Sequence, residues 1–144
     1  MIVVIAILAS IPVVAYNGVQ DRANISRSLS DLGSLNKTVN LYYAENGSYP
    51  NTGMVWLSNY TNPNDYIPGV IPSIVSQLPQ SKFATGGLTG SYMYRSNGTD
   101  YKVVAHTGKY SEYCWKVKAS NPQLQDPLRD CWAYGYWSSG ASSF

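Results

Sequence analysis

Charge is what this chain of 144 residues has least of. Asp, Glu, Lys and Arg make up 12% of it and the net charge is +2. That balance argues against a protein that grips nucleic acid through a basic face. There is one histidine, His106, and there are only two cysteines, Cys114 and Cys131. No H-E-x-x-H and no phosphate-binding glycine loop occurs. His106 has no serine or cysteine partner in a recognisable setting, and a half-exposed strand histidine is its plainer reading. The eight carboxylates are scattered. Asp126 and Asp130 come nearest to a pair, either joining loop carbonyls around a calcium ion or lying in a solvated loop, and no metal is assigned. Without a nucleophile beside its base, an enzyme is not expected.

What is present begins with the first nineteen residues, Met1 to Val19, which carry no charge. From Met1 to Ala15 only Ser10 and Pro12 interrupt the apolar run. As a helix this run reaches roughly 22 Å at ~1.5 Å per residue, short of the ~30 Å hydrocarbon layer. A secretory signal peptide would carry Lys or Arg before the run and a small-x-small site after it. A buried core helix apolar on every side needs a larger protein around it. The third reading, a membrane anchor continuing into an amphipathic helix, fits best.

The continuation supports it. After Gln20, Ile25, Leu29, Leu32, Leu35, Val39 and Tyr42 or Tyr43 fall at three- and four-residue steps. Asp21, Arg22, Arg27, Asp31, Lys37 and Glu45 lie between them. Asn46-Gly47 is a helix stop, and Pro50 opposes continuation. One helix of about 45 residues follows, far above the usual ~11–12. Pro12 and Gly18 are its weak points, where a kink or an unwound turn is expected.

The stretch from Asn51 to Gly90 has no sustained period. Its Pro63, Pro68, Pro72 and Pro79, with several Asn and Gly, mark a long loop with one short helix near Ile71 to Leu78. Ser91 to Arg95 and Asp100 to Thr107 then flank Asn97-Gly98, a strong hairpin signal. In the second of these strands Tyr101, Val103 and Ala105 alternate with Lys102, Val104 and His106. A third strand is predicted for Tyr113 to Ala119 and a fourth for Cys131 to Trp137. The fold expected is α+β: a long N-terminal helix, apolar in its first third and amphipathic beyond, packed on three or four antiparallel strands.

Thirteen Tyr and four Trp stand beside two Phe. That bias toward aromatics with a polar handle suits partly wet contact surfaces and reads as a surface that is mostly interface. Trp132, Tyr134 and Tyr136 alternate on one face of the last strand, as core packing, a subunit contact or a platform for sugars. Asn-x-Ser/Thr acceptor sites for glycosylation fall at Asn24, Asn36, Asn46, Asn59 and Asn97.

Met1 to Asn17 resembles the N-terminal helix of type IV pilins and type II secretion pseudopilins. Leu41-Tyr42-Tyr43-Ala44-Glu45-Asn46-Gly47-Ser48-Tyr49-Pro50 is similar to the helix-end segment of that family, and Tyr92 to Tyr101 to a common pilin hairpin. Val14 to Gly18 with Arg22-Ala23 is similar to the same region of some bacterial pilins. The family's processing site, a Gly then an aromatic residue with a Glu following, has no counterpart. The resemblance therefore implies roughly eight residues ahead of Met1.

It also implies a division of labour. Residues 1–19 would be the membrane and filament-core half of the helix. Residues 20–144 would be the globular domain, with amphipathic helix 20–46, connecting loop 51–90 and a sheet with a disulfide-bounded C-terminal region over 91–144. Ile2, Val3, Val4, Ile5, Ile7, Leu8, Ile11, Val13 and Val14 would form the filament core. Cys114 and Cys131 would form a disulfide around the Asn121–Asp130 loop, a redox or metal pair being the rival reading. The middle loop, variable in pilins, would be exposed.

The partners implied are further copies in a helical filament, with the cytoplasmic membrane and the pilus assembly machinery before extraction. A surface or glycan ligand is also implied, and no nucleic acid. The location is a cell-surface filament, and no cofactor is expected apart from the calcium alternative. The function implied is a major pilin. The alternatives are a type II secretion pseudopilin and a minor pilin acting as an adhesin.

Overall fold

The computed structural model describes residues 18–81, 87–108 and 111–144 in full, and residues 2–17 as helical backbone. The chain is α+β. Helix α1 runs Ile2–Asn46 and is followed by the two-residue strand β1, Leu57–Ser58. Strands β2, Ser91–Ser96, and β3, Tyr101–His106, form the expected hairpin. Helix α2, Glu112–Ser120, and a 3-10 turn, Pro122–Leu124, precede β4, Ala133–Trp137. The sheet is an antiparallel meander in the order β1-β2-β3-β4.

The amphipathic part of α1 covers one face of this sheet. Leu32, Leu35 and Val39 are fully buried against Tyr92, Tyr94, Tyr101, Val103, Ala105 and Tyr134, with Ile25, Leu29 and Tyr42 at the margin. Each fully buried aliphatic side chain contributes ~1.5–3 kcal/mol, and these contacts hold the helix to the sheet. The helix ends at Asn46, where the Gly47 N–H donates to the Tyr43 carbonyl and Gly47 takes φ 71°, a left-handed stop natural to glycine.

Four expectations are corrected. Of the kink or unwound turn expected between Pro12 and Gly18, the unwound turn is absent, because α1 is continuous helix through both. The segment Tyr113 to Ala119 is helix α2, not a strand. Its buried residues are Cys114 and Val117, three apart, while Trp115 is exposed, which is helical spacing. The sheet reaches four strands through β1 instead.

The middle segment is not a purely exposed loop, because Tyr66, Ile67 and Val70 are fully buried and Leu78 nearly so. Tyr66 donates its hydroxyl to the Pro79 carbonyl at 2.7 Å. Near Ile71 the chain makes one turn, with Ile74 N–H on the Val70 carbonyl, and goes no further. Among the described residues no helix is long and apolar enough to cross a membrane. The side chains of the apolar run, and with them the whole predicted filament-core set, lie outside those residues.

Candidate functional site

The described surface of α1 that meets the domain is a seam with an apolar centre and a polar partner at successive turns. At its start, Tyr113 and Lys116 of α2 both reach Asp21, at 3.1 and 2.7 Å. These bonds hold the Asp21 carboxyl below its ordinary value, and Asp21 with Glu112 raises Lys116. Further along, Tyr134 donates to Ser28 at 2.9 Å and Tyr92 to Asp31 at 2.7 Å. Tyr101 donates to Asn36 and accepts from Asn40. Burial pushes the hydroxyls of Tyr92, Tyr101 and Tyr134 up, and the Asp31 carboxylate adds to the effect at Tyr92. All of them stay neutral donors.

Tyrosine therefore plays a different part from the one composition suggested. Tyr66, Tyr92, Tyr94 and Tyr134 are core residues, and two of them, Tyr92 and Tyr134, turn their hydroxyls back to α1. The signal available was the presence of Ser28, Asp31 and Asn36 close to the apolar stripe of the helix, where a buried polar atom demands a partner. Of the predicted aromatic row, Tyr134 and Tyr136 belong to the core that faces α1. Trp132 precedes the strand, is 38% exposed and meets His106 edge to face at 6.4 Å.

Cys114 of α2 and Cys131, just before β4, are both fully buried and both free thiols. The expected bond between them is not formed in this structure, although the residues are neighbours. Gln125 Oε1 accepts from both, at 3.4 and 3.8 Å. Burial and the adjacent Cys131 push the Cys114 thiol up, which opposes thiolate chemistry.

The pair Asp126 and Asp130 is not brought together as a calcium cradle. Asp126 is fully buried on Lys102 at 3.3 Å and Arg129 at 3.2 Å, and Asp130 is bound by Lys118 at 2.7 Å. Among the described residues no three His, Cys, Asp or Glu side chains gather as a metal site. His106 is half-buried, and burial lowers its pKa against a raising contribution from the Leu88 carbonyl.

The acceptor asparagines divide. Asn46 and Asn97 are exposed on turns or helix end. Asn24 and Asn36 sit partly covered on α1, Asn36 holding Tyr101. Asn59 is 7% exposed and accepts from the Tyr92 N–H at 2.6 Å, so it offers no room for a glycan. No protein-family profile, characterised protein or solved structure matches this chain.

Proposed function

We propose that this chain is a structural subunit of a type IV pilus filament, its major pilin, and that it polymerises through the apolar N-terminal part of α1. The observation that carries the reading is the length of that helix. It runs 45 residues without a break, about 67 Å at ~1.5 Å per residue, and the domain engages it from Asp21 onward. An uncharged apolar segment ahead of that seam needs a cover of its own. In the cytoplasmic membrane the cover is lipid. In a filament it is the same segment of neighbouring copies, where each buried Val, Leu or Ile adds ~1.5–3 kcal/mol in a repeated head-to-tail contact.

The seam completes the mechanism. A subunit drawn into a fibre is held by its helix, and the bonds of Tyr113 pass that pull to α2 and those of Tyr134, Tyr92 and Tyr101 to the sheet. A pseudopilin or a minor adhesive pilin would share the architecture. The calcium-bearing form of the pseudopilin reading finds no support in Asp126 and Asp130, since basic side chains occupy both.

Electron microscopy of material sheared from cells, with intact mass measured on the subunit, tests the proposal. Long thin fibres made mainly of this protein are expected, and Val4→Asp should abolish them while the globular part stays folded. Normal filaments from that variant, or a protein that remains in the membrane, would reject the reading. Mass before and after reduction reports whether Cys114 and Cys131 are joined in the exported chain, where a closed loop of about 18 residues adds ~3 kcal/mol.

A further inference from the structure

The face of the sheet turned away from α1 holds polar groups that neither the fold nor the seam uses. A cavity of 160 Å³ lies there, lined by Trp56, Met93, Val104, His106, Arg129 and Ala133. Its floor is apolar, for Met93 stands opposite Val104 across β2 and β3, and Ala133 opposite His106 across β3 and β4. Two buried side-chain nitrogens on this face, His106 Nδ1 and Arg95 Nε, have no hydrogen-bond partner. Such orphans are rare in folded proteins, and each calls for a cause.

Basic side chains gather in the same place. Lys102 and Arg129 share the carboxylate of Asp126, and both also donate to the main-chain oxygen of Phe144, the last residue of the sequence. Arg95 has no carboxylate partner among the described residues. Its guanidinium stands over Trp56 at 5.6 Å and over Phe144 at 5.5 Å, and Arg129 stands over Trp56 at 5.2 Å. Arg95 and Arg129 thus share the Trp56 ring while Lys102 and Arg129 share Asp126, and partial burial strengthens the pull of these side chains on an added anion.

We propose that this cavity binds a short-chain organic carboxylate. The acyl chain lies on Met93, Val104 and Ala133 against Trp56, and the carboxylate meets the Arg129 guanidinium and a proton carried on His106 Nδ1. An apolar floor with polar groups at one side is the usual build of a small-molecule site. The same floor disfavours phosphate, whose remaining oxygens would go unpaired. The 160 Å³ of the cavity suits a short-chain carboxylate of the size of butanoate. The site stands independently of the filament role.

His106 is the only histidine in the chain, so its imidazole gives a single resolved signal in nuclear magnetic resonance. Arg129, the Leu88 carbonyl and the Trp132 ring are the groups that face it. The test titrates butanoate, then inorganic phosphate, into the full chain held in a non-ionic detergent micelle. Butanoate at millimolar concentration is expected to shift the imidazole saturably and to raise its titration midpoint, since a bound anion favours the charged ring. Phosphate should do neither.

Val104→Phe, which fills the floor, should weaken binding at least about tenfold, the equivalent of 1.4 kcal/mol. Ala133→Val serves as the milder filling if the first variant does not fold. An unsaturable shift, an equal response to phosphate, or full affinity in a folded cavity-filling variant would each overturn the proposal, leaving the cavity to water.

Discussion

Tyr134 of β4 donates its hydroxyl to Ser28 Oγ of α1 across 2.9 Å, with both residues almost completely buried. The bond joins the last strand to the first helix. Because the two residues share a closed environment, Ser28 is the reason Tyr134 can be polar there, and Ser28 is met by the hydroxyls of both Tyr134 and Tyr92.

Removing the bond from one side should therefore cost more than removing both groups. Tyr134→Phe leaves the Ser28 hydroxyl only its contact with the Tyr92 hydroxyl, a penalty toward the low end of the about 1–3 kcal/mol for an unmet buried group. Ser28→Ala alone strands the Tyr134 hydroxyl. The double variant should lose less than the two single losses added together. Urea midpoints of the four proteins measure this cycle. Strict additivity would mean that the hydroxyls do not depend on each other.

The helix side of this relationship was open to the sequence. Leu32, Leu35 and Val39 sit where the three- and four-residue spacing put them, and all three are fully buried. Asn97-Gly98 likewise marked the hairpin, which pairs Ser96 with Tyr101. The segment around Cys114 was not legible, because nine residues with Tyr113, Trp115 and Val117 at alternate positions satisfy the strand period as well as a helical one. The buried part of the middle segment was hidden for another reason. Tyr66, Ile67, Val70 and Leu78 enter the core from turns, and turns impose no period. The cavity behind the sheet draws residues from β2, β3, β4 and two loops, so no local pattern points to it.

Two glycines should answer oppositely to alanine. A Cβ at Gly135 would stand 2.1 Å from the Val103 carbonyl oxygen and 2.7 Å from Val104 Cα. Both belong to the backbone of β3, which cannot yield without breaking the pairing of Val104 with Gly135. Gly135→Ala should lose several kcal/mol, beyond the ~1–3 kcal/mol typical of an overpacked side chain, and accumulate poorly. A Cβ at Gly33 of α1 meets nothing within 4 Å, so Gly33→Ala should gain about 1 kcal/mol from helix propensity. Thermal unfolding of both proteins separates the two outcomes.

The buried pair of Lys102 and Asp126 makes an asymmetric prediction. Asp126 is shared by Lys102 and Arg129 and also accepts from the Leu128 N–H. Asp126→Ala leaves the buried Lys102 ammonium with only the main-chain oxygens of Ser142 and Phe144, and breaking a buried pair from one side costs about 3–5 kcal/mol. Lys102→Met keeps Asp126 paired with Arg129 and fills similar volume, so it should cost clearly less. Equal losses in urea unfolding would show that Arg129 does not hold Asp126 when Lys102 is gone.

Stability should also depend on pH through His106. Burial lowers its folded pKa below the ordinary value, and the surrounding charge of Arg129 works in the same direction. The unfolded chain takes up the proton near the reference value of about 6.5, while the folded chain waits for a lower pH. Between those two points the unfolded state holds more protons, so stability falls as pH falls and levels off below the folded pKa. The contribution is intact above the unfolded value. Urea midpoints at about pH 7.5 and about pH 5 should differ more in the natural chain than in His106→Gln, which cannot take up that proton. The difference between the two proteins isolates His106 from the carboxylates, which begin to titrate at the lower pH. If the two pH profiles ran parallel, the ring would have the same proton affinity folded and unfolded, and its buried setting beside Arg129 would have no energetic consequence.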